Sequence, residues 1–198
     1  MHASMIRNPK VIFFGDSLTA GYGLKHPQKE AIPALLAAQM QHAGFDYDVV
    51  NAGISGDTTR SALNRLSSIL HGDVAGFVLE LGANDFLRGY APAEVSANLQ
   101  TIIARVRKDY PDAWIMLLGI ELPAWANTYA GSGYANIFRE LASVNKIYLV
   151  PSFLEGVAGN RSLNMIDGVH PLASGYIKAA ENIWPTLLNI LQNDSLIG

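Results

Sequence analysis

The sequence predicts an α/β fold of three layers, in which about five parallel strands lie between two layers of helices. Short apolar runs alternate along the chain with segments of helical periodicity, which is typical of βαβ units. The first run, Val11–Phe14, has no polar alternation, as expected for a strand buried on both faces of a parallel sheet. The length of 198 residues suits one domain. We expect a single domain over 1–198, with 1–9 as a flexible or non-native extension.

The apolar runs and the periodic segments give the elements in order. Strands are predicted over Val11–Phe14, Tyr47–Asn51, Gly76–Leu81, Trp114–Gly119 and Ile147–Pro151. Helices are predicted over Ala31–Ala43, Thr58–Leu70, Pro92–Lys108 and Gly133–Val144, with a last one near Ala173–Gln192. Pro92 suits the first turn of a helix, and Gly44 suits a left-handed residue after a helix end. The crossovers between strands should be right-handed.

The composition excludes several classes of function. The net charge is −3 and no cluster of Lys and Arg occurs, which argues against nucleic acid and anionic membranes as partners. Without cysteine, the chain has no disulfide, thiolate metal site or cysteine nucleophile. No run approaches the roughly 18 apolar residues of a transmembrane segment, and residues 1–9 lack the apolar core of a signal peptide. We expect a cytoplasmic protein as the sequence stands, or a periplasmic or secreted one if a native leader was removed.

The first candidate motif lies between Gly15 and Thr19, directly after the first predicted strand. This position puts Ser17 at the carboxyl edge of the sheet, where open α/β sheets bind their ligands. Its hydroxyl is therefore a candidate nucleophile. Alternatively, Gly15 only turns the chain, and Ser17 or Asp16 caps the next helix. We expect Asp16 and Asp57 to be structural and to hold their loops through backbone hydrogen bonds.

Two further loops offer donors for an anionic oxygen. Gly53 and Gly56 follow the second predicted strand and expose backbone N–H groups just before a helix. Asn84 follows the third predicted strand, and its side-chain amide supplies two uncharged donors. The alternatives are that Asp57 or Thr58 only caps the helix and that Asn84 closes an Asx turn.

The last motif, Ile166–Pro171, precedes the final helix. Asp167 and His170 are three residues apart, so the carboxylate can reach the Nδ1–H of the imidazole within one turn. A lone histidine is more often structural, but this spacing favours a general base with its orienting acid. With Ser17 and the two oxyanion donors, the parts required for serine acyl transfer are complete.

These four stretches, in this order, resemble the GDSL/SGNH hydrolase superfamily. Its blocks occur here as GDSL at Gly15–Leu18, GISGDT at Gly53–Thr58, GAND at Gly82–Asp85 and DGVH at Asp167–His170. The segments VVNAGISGDTT, ELGAND and LRGY look similar to the bacterial thioesterase I/lysophospholipase and arylesterase branch.

The resemblance implies a flavodoxin-like fold, without the G-x-S-x-G elbow of α/β-hydrolases. It implies Ser17 as nucleophile and Asp167 and His170 as the rest of a catalytic triad. The implied oxyanion hole consists of Ser17, Gly56 and Asn84, with Gly56 matching the second glycine of its block. Neither a metal nor an organic cofactor is expected.

Residues 121–133, reading ELPAWANTYAGSG, fit neither period and are rich in aromatic and small residues. We expect a long loop that forms a lid or pocket wall, or else a solvated excursion. Leu122 and Pro123 resemble residues that line the acyl site in the same branch. With Trp125 and Tyr129, they are the candidate substrate-binding residues.

The predicted function is a serine ester hydrolase that acts on a small-molecule ester through an acyl-enzyme on Ser17. Its substrates would be aryl or acyl esters, thioesters or lysophospholipids. Alternatives within the same fold are a carbohydrate or acetyl-ester esterase and a transacylase. From a different class, a non-catalytic flavodoxin-like module would bind a phosphate or nucleotide at the glycine loops. The first loop has no G-x-G-x-x-G or Walker pattern, which argues against that module.

Overall fold

The five predicted strands are present and form one parallel sheet. A computed structural model describes residues 8–120 and 129–194 of the protein. The strands are β1 (Lys10–Gly15), β2 (Asp48–Gly53), β3 (Val74–Glu80), β4 (Trp114–Leu118) and β5 (Tyr148–Val150). Their order across the sheet is β2-β1-β3-β4-β5, with every neighbouring pair parallel. The predicted α/β class is confirmed.

Helices cover both faces of this sheet and make three layers. They are α1 (Ser17–Ala20), α2 (Pro27–Glu30), α3 (Ile32–His42), α4 (Thr59–Ile69), α5 (Ala83–Leu87), α6 (Pro92–Asp109), α7 (Tyr129–Asn145) and α8 (Ala173–Asp194). Buried side chains of α3 and α8 form the core on one face, and those of α4, α6 and α7 form the core on the other. In the part of the chain that the structure describes, no helix combines the length and hydropathy that a membrane span requires.

The apolar run of β1 reflects its central position between these two cores. Val11 and Phe13 pack into the core with α3 and α8, whereas Ile12 and Phe14 pack into the opposite core. All four side chains are buried. Because successive residues of a strand point to opposite faces, a strand covered on both sides requires an unbroken apolar sequence.

The structure differs from the sequence predictions in its short helices and at one helix boundary. The helices α1, α2 and α5 were not predicted, since helices of four or five residues are unstable alone and depend on tertiary contacts. The helix predicted from Gly133 begins at Tyr129, so residues 129–133 belong to α7 rather than to the predicted loop. Pro92 lies in the first turn of α6, and Gly44 has the left-handed φ of +87° that a helix end favours.

The sheet register sets three loops side by side. Gly15 at the end of β1 pairs with Gly53 at the end of β2 and with Glu80 at the end of β3. The segments that follow these strands therefore start at one edge of the sheet. This edge is where parallel sheets place their ligands.

Candidate active site

Ser17 lies at the carboxyl end of β1, as predicted. It is the first residue of α1, and 7% of it is exposed. The Asp16 carboxylate caps this helix by accepting a hydrogen bond from the N–H of Leu18 at 3.0 Å. The expected backbone hydrogen bond of Asp16 is therefore present, one residue before the candidate nucleophile.

Ser17, His170 and Asp167 form one chain of hydrogen bonds. The Oγ of Ser17 lies 3.0 Å from Nε2 of His170, and Nδ1 of His170 lies 2.8 Å from Oδ2 of Asp167. The other oxygen of Asp167 accepts hydrogen bonds from the N–H groups of Val169 and His170 at 2.9 and 3.0 Å. Bonds from the backbone and ring of His170, together with the Val169 N–H, lower the pKa of Asp167 to about 2. The turn thus presents an ionised carboxylate to one side of the imidazole and Ser17 to the other.

Tyr22 covers part of the imidazole of His170, a contact that no sequence motif indicates. Its ring centroid is 4.4 Å from that of His170, and half of Tyr22 is exposed. The buried hydroxyl of Tyr176 on α8 donates to the backbone carbonyl of Tyr22 at 3.2 Å and so fixes this segment. No periodicity or motif marks Tyr22, because its position depends on the turn after α1.

The backbone N–H groups of Ser17 and Gly56 are available as hydrogen-bond donors within the described residues. Among the residues that the structure describes, neither the N–H of Ser17 nor that of Gly56 has an acceptor. By contrast, the N–H of Gly53 donates to the side chain of Asn51 at 3.0 Å. Gly56 has a φ of +85°, a conformation that side chains other than glycine rarely adopt. The geometry therefore favours Gly56 over Gly53 as an oxyanion donor.

Asn84 bonds both to the loop that follows β1 and to the loop that follows β2. Its Nδ2 donates to Oδ2 of Asp16 at 3.0 Å and to the backbone carbonyl of Asp57 at 3.0 Å. Each amide hydrogen therefore has an acceptor. This arrangement fixes the orientation of the side chain, since only the nitrogen can donate to these two oxygens.

Arg65 on α4 holds the glycine loop against β1 and was not predicted. Its Nε lies 2.6 Å from Oδ2 of Asp57, and its NH2 group donates to the carbonyl of Gly15 at 3.0 Å. Its guanidinium also stacks over the ring of Phe14 at 4.1 Å. The expectation that Asp57 bonds to backbone is wrong, because its carboxylate accepts from the side chains of Ser61 and Arg65. The helix cap is instead Thr58, in a capping box with Ser61.

The candidate substrate residues are only partly covered by the structure. Leu122, Pro123 and Trp125 lie outside the described residues. Tyr129 is the first residue of α7, so its backbone is helical rather than part of a loop.

No metal site accompanies this arrangement in residues 8–120 and 129–194, where no group of three or more His, Asp or Glu residues is placed to hold a metal ion.

The Arg65 contact can be tested against a matched arginine on the same helix. Arg65→Met should lower the free energy of unfolding by about 3 kcal/mol, because it leaves the largely buried Asp57 carboxylate without its partner. Arg60 is 63% exposed and pairs with Glu94, so Arg60→Met should cost less than about 1 kcal/mol. Urea unfolding of both variants measures the difference. Equal losses would mean that Arg65 does not anchor the loop.

Comparisons with known proteins agree with this arrangement. Residues 13–177 match the GDSL-like Lipase/Acylhydrolase family. The chain is 38% identical to Esterase TesA of Pseudomonas aeruginosa over 91% of this chain and 89% of that protein. It is 35% identical to an arylesterase of Vibrio mimicus over 86% of this chain and 84% of that protein.

Among solved structures, AlinE4, an SGNH-hydrolase family esterase, is 34% identical and superposes with a TM-score of 0.75. The match covers 95% of this chain and 99% of AlinE4. The match to the family extends over most of the sequence and includes the segments that carry Ser17, Gly56, Asn84 and His170. The chain therefore belongs to the GDSL-like lipase/acylhydrolase family and is a carboxylic ester hydrolase with the SGNH-hydrolase fold.

Proposed function

We propose that this hydrolase cleaves its ester through an acyl-enzyme on Ser17. The observation that carries the proposal is the pair of contacts made by His170, 3.0 Å to Ser17 Oγ and 2.8 Å to Asp167 Oδ2. An imidazole whose Nδ1–H donates to a carboxylate has its Nε2 lone pair directed at the hydroxyl, which is the tautomer that a general base requires.

The two half-reactions use the same three side chains. Ser17 Oγ attacks the ester carbonyl while its proton passes to Nε2 of His170, and Asp167 stabilises the resulting imidazolium. The imidazolium then gives this proton to the departing alcohol oxygen as the carbon–oxygen bond breaks. In the second half, a water attacks the acyl group and passes a proton to His170. Return of that proton to Ser17 releases the acid and restores the enzyme.

The oxyanion formed in each half would lie against three donors. The N–H groups of Ser17 and Gly56 have no acceptor among the described residues, so they are available without breaking a hydrogen bond. Asn84 would contribute by sharing one of its amide hydrogens between the oxyanion and its present acceptor, as in other three-centre hydrogen bonds. Fixed donors of this kind stabilise developing charge without reorganisation.

Exposed apolar side chains support aryl or fatty acyl substrates over acetylated sugars. They lie on or beside the segments that carry the site residues, and comprise Tyr22, Ile54, Leu87, Ile166 and Val169. Sugar recognition would instead call for polar side chains around Ser17. Thioesters and lysophospholipids also carry an apolar acyl chain, so the proposal includes them as substrates. The cytoplasmic location stays a prediction from the sequence.

The direct test is kcat/KM on p-nitrophenyl esters of increasing acyl length, with Ser17→Ala as the matched blank. We expect activity that rises beyond acetate and that is lost in the variant, because the hydroxyl attacks in the first step. A preference for acetate would favour the acetyl-ester alternative. Equal activity of wild type and variant would contradict the role of Ser17.

The pKa of Asp167 predicts how an Asp167→Asn variant depends on pH. With a pKa of about 2, the carboxylate is ionised from about pH 4 to pH 8, so kcat should fall by about 10²–10⁴ across that whole range. Because this pKa lies below the unfolded value, the carboxylate stabilises the native state above about pH 4. That contribution is lost as the pH falls towards 2.

Measuring kcat from pH 5 to 8 checks the expected loss of activity in Asp167→Asn. Measuring the thermal midpoint of unfolding at lower pH checks the expected loss of stability. Asp194→Asn, at the end of α8, serves as the charge control. If the kcat of Asp167→Asn returned to the wild-type value between pH 5 and 8, another group would orient His170.

A further inference from the structure

Two carboxyl groups, those of Asp16 and Glu80, lie buried beside the turn that carries Ser17. Glu80 ends β3 with 1% exposure, and Asp16 follows β1 with none. The Oε2 of Glu80 accepts hydrogen bonds from the Thr19 hydroxyl at 2.8 Å and from the N–H of Asp16 at 3.3 Å. Since the backbone N–H of Asp16 bonds to Oε2 of Glu80, the two carboxyl groups are neighbours, and each shifts the pKa of the other.

The packing around Glu80 leaves room for its carboxyl group only because residue 15 is glycine. A Cβ at Gly15 would lie 2.1 Å from the Thr19 hydroxyl oxygen and 2.7 Å from Oε2 of Glu80. Such distances are far below van der Waals contact. The glycine that precedes Asp16 thus admits Glu80 beside the nucleophile turn.

Burial and mutual repulsion both oppose ionisation of the two carboxyl groups at once. The guanidinium of Arg65 bonds to Asp57 and to the backbone of Gly15 rather than to either of these two carboxyl groups. Burial raises the pKa of Asp16 to about 6 and that of Glu80 well above its usual range, and the charge of Asp16 raises the Glu80 value further. Two adjacent carboxyl groups in such a site retain one proton between them.

The hydrogen bonds assign this proton to Glu80. The oxygens of Asp16 accept from two N–H donors, Leu18 and Asn84, which favour the ionised form. The Oε1 of Glu80 is buried and receives no hydrogen bond from any described residue. An oxygen that carries a proton and donates it needs no donor of its own.

We propose that Glu80 is a neutral carboxylic acid that donates a hydrogen bond to the Asp16 carboxylate and acts as a positioning residue. This hydrogen bond would fix the Asp16 carboxylate. Its Oδ2 then orients the Asn84 amide, and its Oδ1 caps the helix that begins at Ser17. Glu80 itself touches no reacting atom. The effect of Glu80 on turnover rests on the proposed function, because Glu80 acts through Asn84 and Ser17. The protonation state of Glu80 is independent of the proposed function.

The protonation state can be read directly by infrared spectroscopy of the whole protein at pH 7. A protonated carboxyl group has a C=O stretch separate from that of ionised carboxylates. We expect one such band, which shifts when glutamate is labelled with ¹³C in its carboxyl group and which is absent in Glu80→Gln. Glu94→Gln, which removes a partly exposed carboxylate that pairs with Arg60, should leave the band unchanged. No band, or a band that shifts only with labelled aspartate, would overturn the assignment.

Kinetics separate positioning from mere packing. Glu80→Leu should lower kcat by about 10- to 100-fold with KM within about twofold, less than the 10²–10³-fold loss expected for Asn84→Ala. Glu80→Gln keeps a donor for Asp16 and an acceptor for Thr19, so it should recover at least about tenfold of the loss. A glutamine variant as impaired as the leucine variant would contradict the proposal. If Ser17→Ala were active, the proposed function would fail while the infrared result still decided the state of Glu80.

The pH dependence of stability provides a second readout. Since the folded-state pKa of Glu80 is raised, wild type should lose stability relative to Glu80→Gln as the pH rises from about 4 through that value. The titratable groups coupled to the pair are His170, which acts on Asp16, and the Tyr176 hydroxyl, on which both carboxyl groups act; wild type and Glu80→Gln contain both. A difference in unfolding free energy that stays constant with pH would count against a protonated Glu80.

Discussion

The amide of Asn84 is the contact on which the geometry of the site depends. Its two hydrogens reach the Asp16 side chain after β1 and the Asp57 carbonyl after β2, while Asn84 itself follows β3. One side chain therefore ties together the ends of three neighbouring strands. Because the parallel sheet brings these ends to one edge, a single amide is enough to span them.

Around this contact, the buried carboxylates of Asp16 and Asp57 each accept hydrogen bonds from defined donors. Arg65 neutralises Asp57 and closes the glycine loop onto Gly15. Asp16 receives two N–H donors, and a proton on Glu80 would remove the remaining conflict. The His170 turn, in contrast, is at the surface, where hydrogen bonds within its own turn hold Asp167 ionised. The site thus combines a buried half, held by contacts between three loops, with a surface turn that orients its own carboxylate.

Much of the fold and the site could be predicted because the signals were local. Each strand has an apolar run, and Asp167 and His170 are close in sequence, so their contact needs no tertiary information. Ser17, Gly56 and Asn84 could be placed because parallel strands end at a common edge.

The missed features depend on contacts that are distant in sequence. Glu80 is the acidic residue at the end of an otherwise apolar strand, and its burial requires Gly15 and Thr19 of another segment. From the sequence, Arg65 is expected on the exposed face of an amphipathic helix. In the structure it packs against Phe14 and pairs with Asp57, both of which are distant in sequence. The short helix α1 forms because Asp16 caps it and α8 supports it through Tyr176, not because its four residues favour helix.

If His170 activates Ser17 as a nucleophile, Ser17 should react covalently with a phosphonate ester. The protein would be treated with a p-nitrophenyl alkylphosphonate and examined by intact mass and peptide mapping. We expect one phosphonyl group per chain, located on Ser17, with no adduct on Ser17→Ala or, in the same time, on His170→Ala. An unlabelled wild type, or a Ser17→Ala protein labelled to the same extent, would contradict it.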